Sequence, residues 1–359
     1  MARADLSPDL PRALLRWFDQ HGRHGLPWQK RPTPYRVWVS EIMLQQTQVA
    51  TVIPYFERFM KRFPHVKSLA EASADEVLSY WSGLGYYARA RCLHQTAQLV
   101  KDQYYGRFPR ALDALVELPG IGRSTAGAIL TFSMDIRAVI LDGNVKRVLT
   151  RYYALEEPIN KPATLNILWD LATQNTPIKK FKEYNQGIMD IGALICTRTK
   201  PKCLLCPLQK ECQGYSSGYP ERFPISIKSL AKRPQKTTYM LLMVNDDGEI
   251  LLEKRPPTGI WGGLWSFPEC KNLEEIPEYI RVKWDFKHYK KILWKPLPHV
   301  FTHFFLMIHP VLIHLSEKQS DVMDADSQVW YSKNASLPGG IPKPVSYLLK
   351  KLTTEMNDD

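Results

Sequence analysis

Apolar residues recur at three- and four-residue spacing through the first two thirds of the chain, the period of amphipathic helices. Residues 7–19 carry Leu10, Leu14, Leu15 and Phe18 on one stripe, and the same reading predicts helices over 49–62, 73–81, 111–117, 163–174 and 181–194. A further helix runs from about Arg89 to Tyr104. Tyr35–Leu44 differs: it is almost wholly apolar, as a segment buried on all sides would be, and is broken only by Ser40 and Glu41. Residues 216–236 are rich in Ser, Pro and Lys and have no period. This ends the helical part near residue 220 and makes 221–236 a linker. Beyond it the pattern shortens. Tyr239–Val244 and Ile250–Leu252 flank Asp246-Asp247-Gly248 as a hairpin, strand-like runs follow at 299–308, 310–315 and 328–332, and a helix closes at about 343–352. The predicted fold is multidomain: an all-α domain over 1–220, then a small α+β domain over 237–359.

The length of 359 residues suits two domains. No apolar run approaches the roughly 18 residues of a membrane span. The N-terminus lacks the apolar core of a signal peptide and itself reads as a helix, so a cytoplasmic protein is expected. Nothing in the pattern calls for an oligomer, so a monomer is expected. Charge changes the picture more. The net charge is +12, and residues 1–220 hold 29 Lys and Arg against 19 Asp and Glu. A basic helical half suits a polyanionic partner such as DNA.

Leu118-Pro119-Gly120-Ile121-Gly122 is a tight turn ahead of a helix over Thr125–Phe132. The first N–H groups of a helix have no intrahelical acceptor, and glycines let a phosphate backbone come close, so Gly120, Gly122 and Ser124 are candidate DNA contacts. Asp142, before a helix over Val145–Tyr153, sits 20 positions after Gly122. It reads either as a helix N-cap or as a carboxylate beside the phosphate grip. Glu41, in its apolar run, is either on an exposed stripe or functional, because buried carboxylates need a partner or a role. Gln45 and Thr47 form a polar cluster able to reach base edges or to make a solvated corner. Leu84-Gly85-Tyr86-Tyr87, followed by Arg89 and Arg91, reads as a stacking wedge or as core aromatics.

Of six cysteines, Cys196, Cys203, Cys206 and Cys212 lie close together, with gaps of six, two and five residues. Four thiolates at such spacing suit zinc or a [4Fe–4S] cluster. A zinc ribbon carries two Cys-x2-Cys knuckles and this chain has one, so the uneven spacing favours the cluster. Arg198, Lys200 and Lys202, between the first two cysteines, are candidate phosphate contacts. Cys92 and Cys270 stand apart and read as apolar fillers.

The turn, the carboxylate after the next helix, the cysteine spacing and the basic helical domain together resemble the helix–hairpin–helix DNA glycosylases with an iron–sulfur cluster. VSEIMLQQTQV, LGYYARAR and the second domain narrow the resemblance to the MutY-type adenine DNA glycosylases. That resemblance implies a base-excision-repair hydrolase that removes adenine mispaired with 8-oxoguanine or guanine in double-stranded DNA, after flipping it from the stack. It implies Glu41 as general acid, Asp142 as stabiliser of the sugar cation, and Asn144 as the group that orients Asp142. It also implies Tyr86 as the wedge, Gln45 as its helper at the gap, and the four cysteines as cluster ligands. Helix–hairpin–helix glycosylases that also nick DNA carry a Lys where this chain has Ser124, so a monofunctional enzyme is expected. The second domain resembles a Nudix fold and is implied to recognise 8-oxoguanine. Gly263 and Glu269 match the opening of the Nudix box, but PEYIRV replaces its acidic run, which argues against a pyrophosphatase. Phe301-Thr302-His303 stands where the family has Phe-Ser-His, making Thr302 and His303 candidate lesion contacts. The competing readings are an endonuclease-III-like bifunctional glycosylase for oxidised pyrimidines, opposed by Ser124 and the second domain, and a non-catalytic iron–sulfur DNA-binding protein.

Overall fold

The computed structural model describes residues 9–225, 233–284, 289–315 and 327–358. The expected linker at 221–236 thus lies partly outside the described residues. Two compact units are present: Met1–Glu71 with Gln95–Ser229, and Ala72–His94 with Leu230–Asp359. Each is described separately.

The helical part runs α1 (Asp9–His21), α2 (Pro34–Leu44), α3 (Val49–Arg62), α4 (Val66–Ala70), α5 (Ala74–Trp81), α6 (Ala88–Gln103), α7 (Leu112–Val116), α8 (Arg123–Met134), α9 (Gly143–Tyr152), α10 (Pro162–Asn175), α11 (Phe181–Leu194) and α12 (Gln213–Ser216). Local chemistry sets their starts and stops. Thr33 accepts the Arg36 N–H ahead of α2, with Pro34 at its first position. Asp135, in the left-handed region at φ 58°, ends α8. In the first unit, α1, α9, α10 and α11 share a core of Leu10, Leu14, Val148, Leu149, Leu168 and Ile191. Gly187 admits the close approach of α1 to α11, since a β-carbon there would meet Leu14 Cδ2 at 2.7 Å. α2 and α8 are buried over nearly their whole surfaces.

The second unit holds an eight-stranded mixed sheet among the described residues. Its strands are β1 (Gln235–Val244), β2 (Ile250–Lys254), β3 (Trp265–Ser266), β4 (Glu269–Cys270), β5 (Tyr289–Leu293), β6 (Leu297–Val300), β7 (Phe305–Leu315) and β8 (Gln328–Tyr331). The backbone order is β3-β2-β1-β7-β5, and β1 and β7 run parallel from Gln235↔Phe305 to Val244↔His314. α13 (Ile276–Trp284) places Ile276 and Ile280 against Leu241, Met243, Val311 and Ile313. α14 (Lys343–Asp358) buries Val345, Leu348 and Leu352.

The strand runs at 299–308 and 310–315 are corrected. The chain turns at 301–304, where Phe301 N–H donates to the Phe304 carbonyl at 3.0 Å, and β7 then runs unbroken through Pro310. Proline is tolerated because β6 pairs with residues 305–308 of β7 and β5 with residues 311–315. The missing donor therefore falls in the gap between them.

Candidate active site and cysteine loop

In the first unit, a cavity of about 240 Å³ is lined by Trp28, Gln29, Val37, Glu41, Phe132 and Gln186, with Arg23, His24 and Lys182 among its other walls. Glu41 is the acid α2 contributes to it. Burial pushes the Glu41 carboxyl up to about 8, and the nearby Asp142 carboxylate adds to the rise. Glu41 and Asp142, far apart in sequence, thus share one electrostatic environment.

Asp142 is the N-cap of α9. Its Oδ1 accepts N–H groups from Asn144 at 2.9 Å and Val145 at 2.8 Å, while Oδ2 accepts from Asn144 Nδ2 at 2.9 Å. Burial raises the Asp142 pKa, and these bonds with the Arg147 charge pull against that rise. The Asn144 amide is fixed on its other side, where its Oδ1 accepts from Arg147 Nη2 at 2.8 Å. Arg147 goes on to the carbonyls of Gly192, at 2.5 Å, and Cys196, at 2.7 Å. Gly192 makes room, since a β-carbon there would lie 2.6 Å from Asn144 Cβ.

The hairpin before α8 is held from behind. Gly120 takes φ 77°, and Thr96 Oγ1 donates to the Pro119 carbonyl at 2.7 Å. Gly122 is the N-cap of α8, and a β-carbon there would meet nothing within 4 Å, so its outer side is open. Ser124 Oγ accepts the Leu141 N–H at 3.2 Å, tying the hairpin to the segment that delivers Asp142. Gln45 caps the end of α2 and is half-buried; Thr47 donates to its carbonyl at 3.4 Å.

Cys196, Cys203, Cys206 and Cys212 line one small cavity with Arg151 and Tyr215. Burial pushes the last three thiols up, Cys206 to about 12, against backbone N–H groups from Leu208 at Cys206 and from Tyr215 and Gly214 at Cys212. Arg151, itself buried, donates from Nη1 to Cys196 Sγ at 3.3 Å and to the Thr197 carbonyl at 2.6 Å, and from Nη2 to the Arg198 carbonyl at 3.0 Å. Among the described residues, no three His, Cys, Asp or Glu side chains meet as a single bound ion requires. Four thiols at one cavity, with N–H donors at two of the sulfurs and the buried Arg151 guanidinium on a third, fit the anionic thiolate shell of a metal–sulfur cluster. Arg198, Lys200 and Lys202 are exposed on the loop, and Glu221 accepts the Lys200 N–H at 2.5 Å.

In the second unit, Leu84 and Tyr87 are buried while Tyr86 is 48% exposed, which separates the two tyrosines. Tyr86 lies in the left-handed region at φ 50°, between Gly83 and Gly85 on one side and Arg89 on the other. The Arg89 guanidinium covers the rings of both Tyr86 and Trp81, at 5.4 Å from each. Thr302 and His303 are exposed at the tip of the 301–304 turn, and Phe301 stacks on Phe304 with centroids 4.5 Å apart. Glu269 accepts from Thr238 and pairs with Arg255, so the residue matching the Nudix box is engaged by protein groups.

Sequence reasoning missed Arg147 and Arg151. Their four-residue spacing on α9 was the available signal, but only the fold shows that this face meets the cysteine loop. It also missed the walls Trp28, Gln29 and Gln186, whose residue types carry no chemistry until a cavity gathers them.

These features define a helix–hairpin–helix base-excision glycosylase with an appended Nudix-type domain. Residues 39–174 match the HhH-GPD superfamily of base excision DNA repair proteins, and residues 239–351 match the NUDIX domain. An adenine DNA glycosylase of Buchnera aphidicola subsp. Baizongia pistaciae is 41% identical over 342 residues, covering 95% of this chain and 96% of that one. The adenine DNA glycosylase of Homo sapiens is 35% identical, covering 71% of this chain and 56% of that one. A solved thermostable thymine-DNA glycosylase aligns over 58% of this chain and 95% of its own, with a TM-score of 0.53 and 29% identity. An endonuclease III–DNA complex, at 20% identity, covers 61% of this chain and 99% of its own with the same TM-score of 0.53, and so shares the fold. The chain belongs to the adenine DNA glycosylase family. Among the described residues, no helix is long and apolar enough to cross a membrane.

Proposed function

We propose that this chain hydrolyses the N-glycosidic bond of adenine mispaired with 8-oxoguanine or guanine in duplex DNA, as a cytoplasmic monomer, and leaves the abasic strand uncut. The observation that carries the reading is the pair of carboxyls with unlike surroundings. Glu41 is pushed up to about 8 by burial and by Asp142, so it holds a proton at neutral pH. Burial raises Asp142 too, but three N–H donors and the Arg147 guanidinium, which favour its anion, pull against that rise. In this reading Glu41 is the acid, and Asp142, the carboxyl with N–H donors and a guanidinium around it, stabilises the sugar cation.

The flipped adenine enters the cavity beside Glu41, between apolar walls and the amides of Gln29 and Gln186. Glu41 donates its proton to a ring nitrogen, so the base leaves neutral instead of as a poor purine anion. The C1′–N bond breaks, and the positive charge left on the sugar faces Asp142. Water then adds at C1′ and gives its proton to the Glu41 carboxylate left by the first step, restoring the acid. Asn144 holds Asp142 oriented. No lysine stands where Ser124 does, and Ser124 Oγ receives the Leu141 N–H, which is a positioning task.

Gly120, Gly122 and Ser124 face the phosphates of the bound strand, Tyr86 enters the stack, Gln45 and Thr47 fill the gap, and Thr302 and His303 read the opposite base. Cys196, Cys203, Cys206 and Cys212 would hold a [4Fe–4S] cluster, whose bonds to the four sulfurs would cross-link the 196–212 loop, and Arg198 and Lys200 on that loop meet phosphate. In this reading residues 1–220 make the glycosylase and 237–359 the 8-oxoguanine recognition domain. Asp142→Asn keeps an N-cap acceptor but removes the anion. It should bind an adenine–8-oxoguanine duplex within a few-fold of the parent while adenine release falls by on the order of 10³-fold. Retained release, read by chromatography of the free base, would remove Asp142 from the chemistry.

A further inference from the structure

We infer that Arg91 and Asp75 are positioning residues that lock the intercalating turn and the lesion-reading turn of the second unit into one rigid reader, so that recognition of the opposite base depends on both. This rests on the reading of Tyr86 and of Thr302 and His303 given above.

The second unit contains Ala72–His94 as well as the C-terminal chain, so the Ser82–Tyr87 turn has its own anchors there. Ser82 Oγ and Tyr87 Oη both donate to the Ile341 carbonyl, at 3.2 and 3.3 Å, and Tyr87 Oη also receives the Gly83 N–H at 3.3 Å. Ahead of the turn, Asp75 on α5 accepts from Lys254 Nζ at 2.7 Å and from Trp265 Nε1 at 3.2 Å. After it, Arg91 on α6 donates from Nη1 to the Gly262 carbonyl at 2.7 Å.

Gly262 belongs to a tight turn whose neighbour Trp261 lies in the left-handed region at φ 53°. A bulky residue stays there only when its surroundings over-determine it. Arg255 donates to the Ile260 carbonyl at 2.7 Å from one side, and Arg91 holds the Gly262 carbonyl from the other. A β-carbon at Gly262 would lie 2.6 Å from the Pro257 carbonyl oxygen, so the turn has no slack. The Trp261 ring then packs on His299 and Phe301, with centroids 5.4 Å from each. Phe301 is the residue before Thr302. A continuous series of bonded and packed groups therefore joins the backbone after Tyr86 to the tip carrying Thr302 and His303. None of these contacts needs DNA, so the reader is assembled before it meets a lesion.

The test uses the full-length enzyme and single-turnover rates on duplexes with adenine opposite 8-oxoguanine or guanine. Arg91→Ala should lower the ratio of the two rates by about tenfold, Arg91→Lys should restore part of it, and Thr302→Ala in the Arg91→Ala background should lower it no further, because the two act through one element. Asp75→Asn, which removes the charge facing Lys254 at constant shape, should move the ratio in the same direction. Amide exchange in the DNA-free protein gives a reading independent of catalysis: Phe301 N–H, bonded to Phe304, should exchange about tenfold faster in Arg91→Ala. An unchanged ratio, multiplying effects of Arg91→Ala and Thr302→Ala, or unchanged exchange at Phe301 would overturn the inference. Faster exchange at Phe301, with no adenine released from either duplex by the parent enzyme, would instead fault the proposed activity.

Discussion

Glu41 departs from its ordinary behaviour because of where α2 sits. A carboxyl on a helix buried around its circumference loses hydration, and a second carboxyl nearby deepens the penalty on its anion. Two consequences follow. The acid form persists up to about pH 8, so base release should fall as pH rises through that value. The stability sign is opposite to that of a salt-bridged acid. A folded-state pKa above the unfolded one means that the stabilising contribution is complete below the unfolded value and is lost as pH rises toward 8. Glu41→Gln should therefore slow adenine release by about 10²–10⁴-fold. It should also stabilise the protein by about 1–2 kcal/mol at pH 8, a figure discounted for the partial exposure of the carboxyl, with no gain at pH 4. Thermal unfolding at the two pH values checks the sign; a destabilised Glu41→Gln at pH 8 would mean the carboxylate is held ionised.

At the scale of elements, α9 does two jobs. Its N-cap is Asp142, and one turn later Arg147 spans from Asn144 to the backbone of α11 and the cysteine loop. The packing of α9 on α11 thereby sets the Asp142 cap. Gly192→Ala forces a β-carbon against Asn144 and should cost about 1–3 kcal/mol in stability, with a larger loss in base release than in duplex binding. Equal losses in both would show that the effect is folding alone. The cysteine loop makes a separate claim. Replacing Arg198, Lys200 and Lys202 together by Ala should reduce the slope of log K against log salt by about 2–3 for duplex DNA, since each phosphate contact contributes roughly 0.9. A slope equal to the parent's would take the loop off the DNA.

Much of this was legible in the sequence. Helix spans emerged because their apolar periodicity is enforced by one-sided burial, and the N-cap reading of Asp142 holds because its side chain accepts the first N–H groups of α9. The α9 arginines and the cavity walls did not emerge, because cationic and amide side chains are ordinary until a fold collects them. Pro310 misled the strand reading, since a lone gap between two partner strands has no sequence signature.

At the scale of the whole chain, the positive charge sits in the helical half, where residues 1–220 hold 29 cationic against 19 anionic side chains. Chain order and compactness disagree at Ala72–His94, which lies within the helical sequence yet groups with the C-terminal unit. A segment carrying the proposed wedge thus shares a unit with the proposed lesion reader, whereas Glu41 and Asp142 share the other. The proposed tasks of the two units therefore differ, one choosing the base pair and the other breaking the bond, and the proposed hydrolysis leaves the strand uncut. The most direct measurement is a single-turnover assay on a labelled duplex containing adenine opposite 8-oxoguanine, with an adenine–thymine control, read with and without hot alkali. The account predicts strand breaks only after alkali and only in the lesion duplex; breaks without alkali, or equal release from the control, would contradict it.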